Sequence, residues 1–472
     1  MSIRRIAFVA ALSVLVLRVA AFGQEVVLDG GLGKIEAPKT LTERPQFVKW
    51  ARGEEALPKR AKADVADAND EILDKFAKWH IWRLAENGGT AVSRARVINE
   101  LETQVITKEV LDKLKENKEF VRRFSPLLVK RLNDIFATLD MSKNTPTILY
   151  AGQMLPAIAK LKHESIGDYL VHLIKDDKYH PLVRMYAARG LKEFMPVRHY
   201  VWDLFPDEDR PKKARDIEYI ETLSSRIEGK WPRAKMDDNA IRYIRRDLIA
   251  ALAEAQEPAV AAFKETPKKG GFGVAEGSPV PTLMRVLTPG AIDPPPDFFE
   301  KYEAASGLCR LWSVEHRGRD GLGVPAVPDY MPEAGIYLVG RFLVELSDAY
   351  SKELNEIAGP MKKLSTVPWK VYAENFKHVR DAKLKNDASG LLEDLQERMN
   401  GPEPHQKAAY LKAKGLATVA GPVLHGMTQH VTVIESSREL RDYVTKLRPK
   451  MDEKTGEFQL FKSVKGPSLK LP

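Results

Sequence analysis

Three arginines in one run offer the best-defined chemistry of the chain: Arg242, Arg245 and Arg246, within Ile241 to Leu252. Ile241, Ile244, Leu248, Ile249 and Leu252 recur at helical spacing and define an apolar face. The arginines are expected on the opposite face. With Lys212, Lys213 and Arg215 they would form a basic strip that attracts an anion or an acidic partner. The simpler reading of the same residues is a solvated helix face.

Other reactive residue types fall short of a recognisable constellation. His425 and His430 form the one close histidine pair, but a helical metal pair needs spacing of four residues on one face. Here the spacing is five, across Gly426, with Glu435 as the nearest carboxylate. Asp176–Asp177, Asp207–Glu208–Asp209 and Asp237–Asp238 are acidic clusters at predicted helix boundaries. Capping explains them better than glycosidic chemistry, which needs two carboxylates facing each other across a cleft. Gly270–Gly271–Phe272–Gly273 lacks the following Lys and Ser/Thr of a phosphate loop. No Gly-x-Ser-x-Gly or Ser-x-x-Lys nucleophile signature occurs. No cofactor or metal site is expected.

Cys309 is the single cysteine in 472 residues. It excludes an intramolecular disulfide, a cysteine-rich zinc site and c-type haem attachment. Its apolar neighbours, Leu308 and Leu311–Trp312, suit a small buried hydrophobe.

The N-terminus gives an address. Arg4 and Arg5 precede an apolar run from Ile6 to Leu17, and Ala21–Phe22–Gly23 offers a small-residue exit. This is the pattern of a secretory signal peptide over 1–23, with a mature chain from Gln24. Loss of Arg4, Arg5 and Arg18 takes the formal charge from +9 to +6. The mature surface is mildly basic, with both signs interspersed. That suits another protein or an anionic envelope polymer as partner and does not point to nucleic acid. No second long apolar run follows, so after cleavage no integral membrane protein is expected. The chain reads as exported, periplasmic or extracellular.

The elements behind these residues are helical. Residues 24–62 read as an extended lead-in. From 63 to 265 the apolar spacing predicts amphipathic helices over 64–87, 90–105 and 107–139, and four short ones in the most regular part, from Ser125 to about 195. Ser125–Pro126, Thr145–Pro146 and His180–Pro181 mark openings, since proline suits the first turn. Glu164 to Asp176 is the remaining helix. Short connections make neighbours antiparallel, in two hairpins.

A local motif recurs. Ala187–Ala188–Arg189–Gly190–Leu191 returns as Ala304–Ala305–Ser306–Gly307–Leu308, with an echo at Ala413–Lys414–Gly415–Leu416. Each offset is about three lengths of a helical-hairpin repeat. Small residues at such places let helices pack backbone to backbone. The stretch Leu182 to Leu191, with Val183–Arg184, paired alanines and the following leucine, resembles the second helix of a HEAT repeat. The resemblance covers about 125–195 and implies an α-solenoid that binds other molecules along a curved face.

Two stretches interrupt the helices. Residues 266–297 hold seven prolines and five glycines, which no continuous helix tolerates. This is a linker or an ordered loop anchored by Phe272, Leu283, Met284, Val286 and Leu287. Residues 317–334 are similar. A second helical region spans 298–445, with helices over 332–357, 369–384, 389–399 and 404–419. Residues 427–435 suit a strand or a buried helix, and 446–472 form a basic, loosely held tail.

The expected fold is therefore all-α: antiparallel helical hairpins stacked as a HEAT-like α-solenoid, with long Pro/Gly-rich loops. The expected function is binding or scaffolding through a groove. The alternatives are an all-α exported polysaccharide hydrolase or lyase with loop-borne acid and base residues, and a structural envelope component.

Overall fold

The computed structural model describes residues 25–28, 32–36, 43–60, 67–107, 111, 117–195, 213–231, 236–254, 263–265, 272–275, 279–311, 333–357, 369–376, 404–459 and 468–472. The expected signal peptide, Asp207–Glu208–Asp209, Lys212, the loop 317–330 and the helix over 389–399 lie outside them. So do the side chains of Lys213 and Arg215. Helices dominate, and the strands form three two-stranded antiparallel ladders.

The chain divides into two compact units, one up to Phe194 and one built mainly from Pro211 onward. The first unit contains β1 (Glu25–Val27), β2 (Lys34–Glu36) and helices α1 (Glu43–Arg52), α2 (Ala68–Trp82), α3 (Ala91–Gln104), α4 (Lys118–Thr138), α5 (Met141–Ala159), α6 (Glu164–Lys175) and α7 (Pro181–Phe194). The lead-in is a hairpin: Val26 pairs with Ile35, and its apolar face packs on Trp79 and Trp82 of α2.

α4 lies within the helix expected over 107–139 but departs from the opening expected at Ser125–Pro126. It begins at Lys118 and runs through Pro126 rather than opening there. A proline inside a helix costs about 3 kcal/mol. Tertiary packing offsets that cost, because the first two turns carry Phe120 and Phe124 into an aromatic cluster. Phe47 stacks on Phe76 at 3.9 Å and meets Phe124 edge-on at 5.3 Å. In α5 non-helical dihedrals at Asn144 set off the first residues, so the main helix starts at Thr145–Pro146 as the sequence suggests. α7 packs against α5 and α6. Val183, Ala187, Leu191 and Phe194 are all buried in it.

The second unit contains α8 (Lys213–Glu228), α9 (Asp238–Ala253), β3 (Phe263–Glu265), β4 (Phe272–Ala275), α10 (Val280–Leu287), α11 (Phe298–Leu311), α12 (Glu333–Ile357), α13 (Trp369–Asn375), α14 (Pro404–Gln429), α15 (Ile434–Leu447), β5 (Phe458–Gln459) and β6 (Ser468–Leu469). The boundary between units thus falls near 195–211 and not at 266–297. The Pro/Gly-rich stretch supplies α10, whose Leu283, Met284, Val286 and Leu287 are buried. α9 packs on α11 and α10 on α11, while α12 packs on α14 and α15.

Residues 427–435 are neither a strand nor one buried helix. α14 continues to Gln429 and ends in a Schellman motif. The amide of Val431 donates to the carbonyl of Gly426 at 3.0 Å, and His430 takes a φ of +54°. α15 then starts at Ile434. The basic tail is also anchored where it is described. Phe458 pairs with Leu469, and Phe458, Leu469 and Leu471 are buried.

The glycines of the recurring motif sit at close helix contacts. A Cβ on Gly190 would come within 2.8 Å of Leu170, on Gly307 it would strike Ala253, and on Gly415 it would strike Tyr443.

Candidate functional site

The three arginines of α9 do not form a strip. Arg245 is 0% exposed, and its guanidinium grips Glu300 of α11. Nε donates to Oε1 at 2.5 Å and Nη2 to Oε2 at 3.1 Å. The reason lies in the spacing. At ~100° per residue, position 245 falls about 40° from Ile241 and beside Leu248 and Ile249. It therefore belongs to the apolar face and needs a buried carboxylate. Arg242 donates through Nε to the carbonyl of Pro295 at 3.0 Å. Arg246 lies over the ring of Phe299, 4.9 Å from its centroid, with Glu303 at 3.8 Å. All three engage α11 or the segment leading into it. They clamp helix to helix instead of facing a ligand together.

Glu300 is itself part of a cap. The amide of Glu300 donates to Asp297 Oδ1 at 2.9 Å, and the amide of Asp297 donates to Glu300 Oε2 at 2.8 Å. This is a capping box at the start of α11. Burial pushes the Glu300 carboxyl above the usual carboxylate range, while Arg245 pulls it back down.

The other expected sites resolve locally. Asp237 caps α9 by accepting from the Ala240 amide at 2.7 Å. Asp176 instead lies past the C-terminus of α6, where it accepts from the Lys178 amide at 3.0 Å. Asp177 pairs with Arg184 at 2.6 Å. His425 and His430 are both exposed, and His430 serves the α14 terminus. Cys309 is buried. Among the described residues no group of three His, Cys, Asp or Glu side chains is placed to hold a metal ion.

The sequence reading missed a cleft of about 480 Å³ in the second unit. α12 contributes Tyr337, Leu338, Arg341, Phe342, Glu345 and Asp348; α15 contributes Arg441, Val444 and Thr445, and Arg448 follows it. Lys301 of α11 and the end of α10 complete the wall. Two ion pairs cross it. Lys301 meets Glu345 at 2.9 Å, and Arg441 meets Asp348 at 2.5 Å. The Tyr337 hydroxyl donates to the Pro472 carbonyl at 3.1 Å, so the tail borders the site. The signal was present: Arg341, Glu345 and Asp348, like Arg441, Thr445 and Arg448, recur at spacings of three and four on single helix faces.

The chain matches no family model, no curated protein and no solved structure. Among the described residues no helix is long and apolar enough to cross a membrane.

Proposed function

We propose that the protein is an exported helical-repeat module that binds or scaffolds a partner in the periplasm or outside the cell. The observation that carries this reading is the use made of the recurring glycines. Gly190, Gly307 and Gly415 each stand where a neighbouring side chain fills the space a Cβ would take. A glycine inside a helix costs roughly 1 kcal/mol against alanine. Three such sites in one sequence context support a repeated helix-packing unit. Stacked helical pairs leave extended faces, and a partner protein or an anionic envelope polymer fits the mildly basic surface.

The test is chemical cross-linking of the native protein in its own cells, followed by mass spectrometry. The expected result is one recurrent protein partner joined through a consistent set of lysines. Capture of no protein would overturn the scaffold reading. N-terminal sequencing of the same material tests export: a start at Gln24 is expected, and a start at Met1 contradicts it.

A further inference from the structure

We propose that the cleft between α12 and α15 is a binding site for a small organic anion with an apolar body. The inference stands apart from the scaffold reading and holds whether or not a protein partner is captured. Four cations line the cleft against two carboxylates. Lys301 and Arg441 are already neutralised by Glu345 and Asp348. Arg341 and Arg448 are exposed and have no ion pair or hydrogen bond among the described residues. Two spare guanidinium groups, one from α12 and one just past α15, line the same cleft and match a carboxylate or phosphate, whose oxygens such groups bind as a fork.

Beneath them Leu338, Phe342 and Val444 are buried and form an apolar floor. Its volume falls in the range of small-molecule sites. A cationic rim over an apolar floor selects a molecule with a charged head and a hydrophobic body. A neutral analogue would leave both arginines unmatched, and a bare inorganic ion would leave the floor uncovered.

The experiment is calorimetric titration of the full chain with 1-naphthoate, 1-naphthyl phosphate, inorganic phosphate and neutral 1-naphthalenemethanol. Binding of one or both naphthyl anions is expected, and the stronger of the two identifies the head group. In R341Q/R448Q that affinity should fall about tenfold to a hundredfold. Lys352→Gln, an exposed cation elsewhere on α12, should leave it unchanged. Both arginines are on the surface, so an unchanged thermal melt establishes that the double variant is folded. The proposal is overturned if no naphthyl anion binds at millimolar concentration. Equal binding of the neutral alcohol, binding of inorganic phosphate as tight as that of the naphthyl anions, or unaltered affinity in folded R341Q/R448Q would each overturn it too.

Discussion

Both units bury an arginine against the capping box of a neighbouring helix, yet the two clamps differ in how well they are satisfied. In the first unit Asp67 and Asp70 form the box at the start of α2. Arg123 of α4 reaches it with Nε and Nη2 to Asp70 Oδ1, at 2.9 and 2.6 Å, and with Nη2 to Asp67 Oδ1 at 2.6 Å. Its Nη1 donates to the Pro58 carbonyl at 2.9 Å. Arg60 adds a second cation to Asp70. In the second unit Arg245 has Glu300 as its partner, and its Nη1 is buried without one.

The carboxylates respond in opposite directions. Burial works to raise Asp70, but Arg60, the Asp67 amide and Arg123 hold it below the usual range. At Glu300 burial prevails. One sequence device thus yields a well-compensated surface-flanking cluster in one place and a costly interior pair in the other.

The largest expected effect follows from that contrast. Arg245→Met strands a buried carboxylate and should cost about 3–5 kcal/mol in denaturant unfolding. Replacing Glu300 by Met as well should recover most of the loss. Arg123→Met should cost less, about 2–3 kcal/mol, because Asp70 keeps Arg60 as a partner and Asp67 is part-exposed. The ranking is the point of the pair of measurements, and a larger loss at Arg123 would break the comparison.

Acid sharpens it. Asp67, Asp70 and Asp74 have folded values below the unfolded one. Their stabilisation is complete above the ordinary carboxylate value of about 3.9 and is lost as pH falls through the folded values. Glu300, raised in the fold, takes the opposite sign, and its site gains stability as pH falls. Stability measured from pH 5 to 2 should therefore decline less steeply in Arg123→Met than in the parent. Glu300→Gln should not soften the decline.

The close-approach glycines give the next effect. Gly307→Ala forces a methyl into Ala253 and should cost about 1–3 kcal/mol. Gly190→Ala meets the flexible end of Leu170, and the gain in helix propensity of roughly 1 kcal/mol offsets the crowding. Thermal melts of the two variants should separate in that order.

His80 gives an effect that is absent at neutral pH and builds as the pH falls. It is buried among Phe47 and Phe76, its Nδ1 has no partner, and burial with nearby Arg83 and Arg44 lowers its value to about 3. Below about 6.5 the unfolded chain takes up a proton that the fold refuses. Stability should fall by up to about 1.4 kcal/mol per pH unit across that window from this group alone. His80→Phe should remove that slope, which a pH series of unfolding midpoints would read directly.

Helix type and most apolar positions were legible because amphipathic spacing is local. α6 ends within a residue of its expected limit, and α7 opens at Pro181 as expected. Pro126 misled because the aromatic cluster that carries α4 through it joins Phe47, Phe76, Phe120 and Phe124 across the first unit, and no local window contains them all. Arg245 misled for a different reason. Its charge argued for solvent, although its spacing from Ile241 and Leu248 placed it in the core. The capping boxes Asp67–Asp70 and Asp297–Glu300 were readable as acid pairs three apart. What no spacing could supply was the arginine that meets each of them from another helix. The cleft was hidden likewise, since its two charged stripes lie about a hundred residues apart in the chain.

Arg123 joins segments 53 and 65 residues before it in the chain, namely the start of α2 and the irregular stretch at Pro58. A side chain tied to both at once couples their local openings. Amide protons near Pro58, in the first turn of α2 and around Arg123 should then exchange with solvent as one cooperative unit, at a common opening free energy, while the exposed ends of the same helices exchange independently.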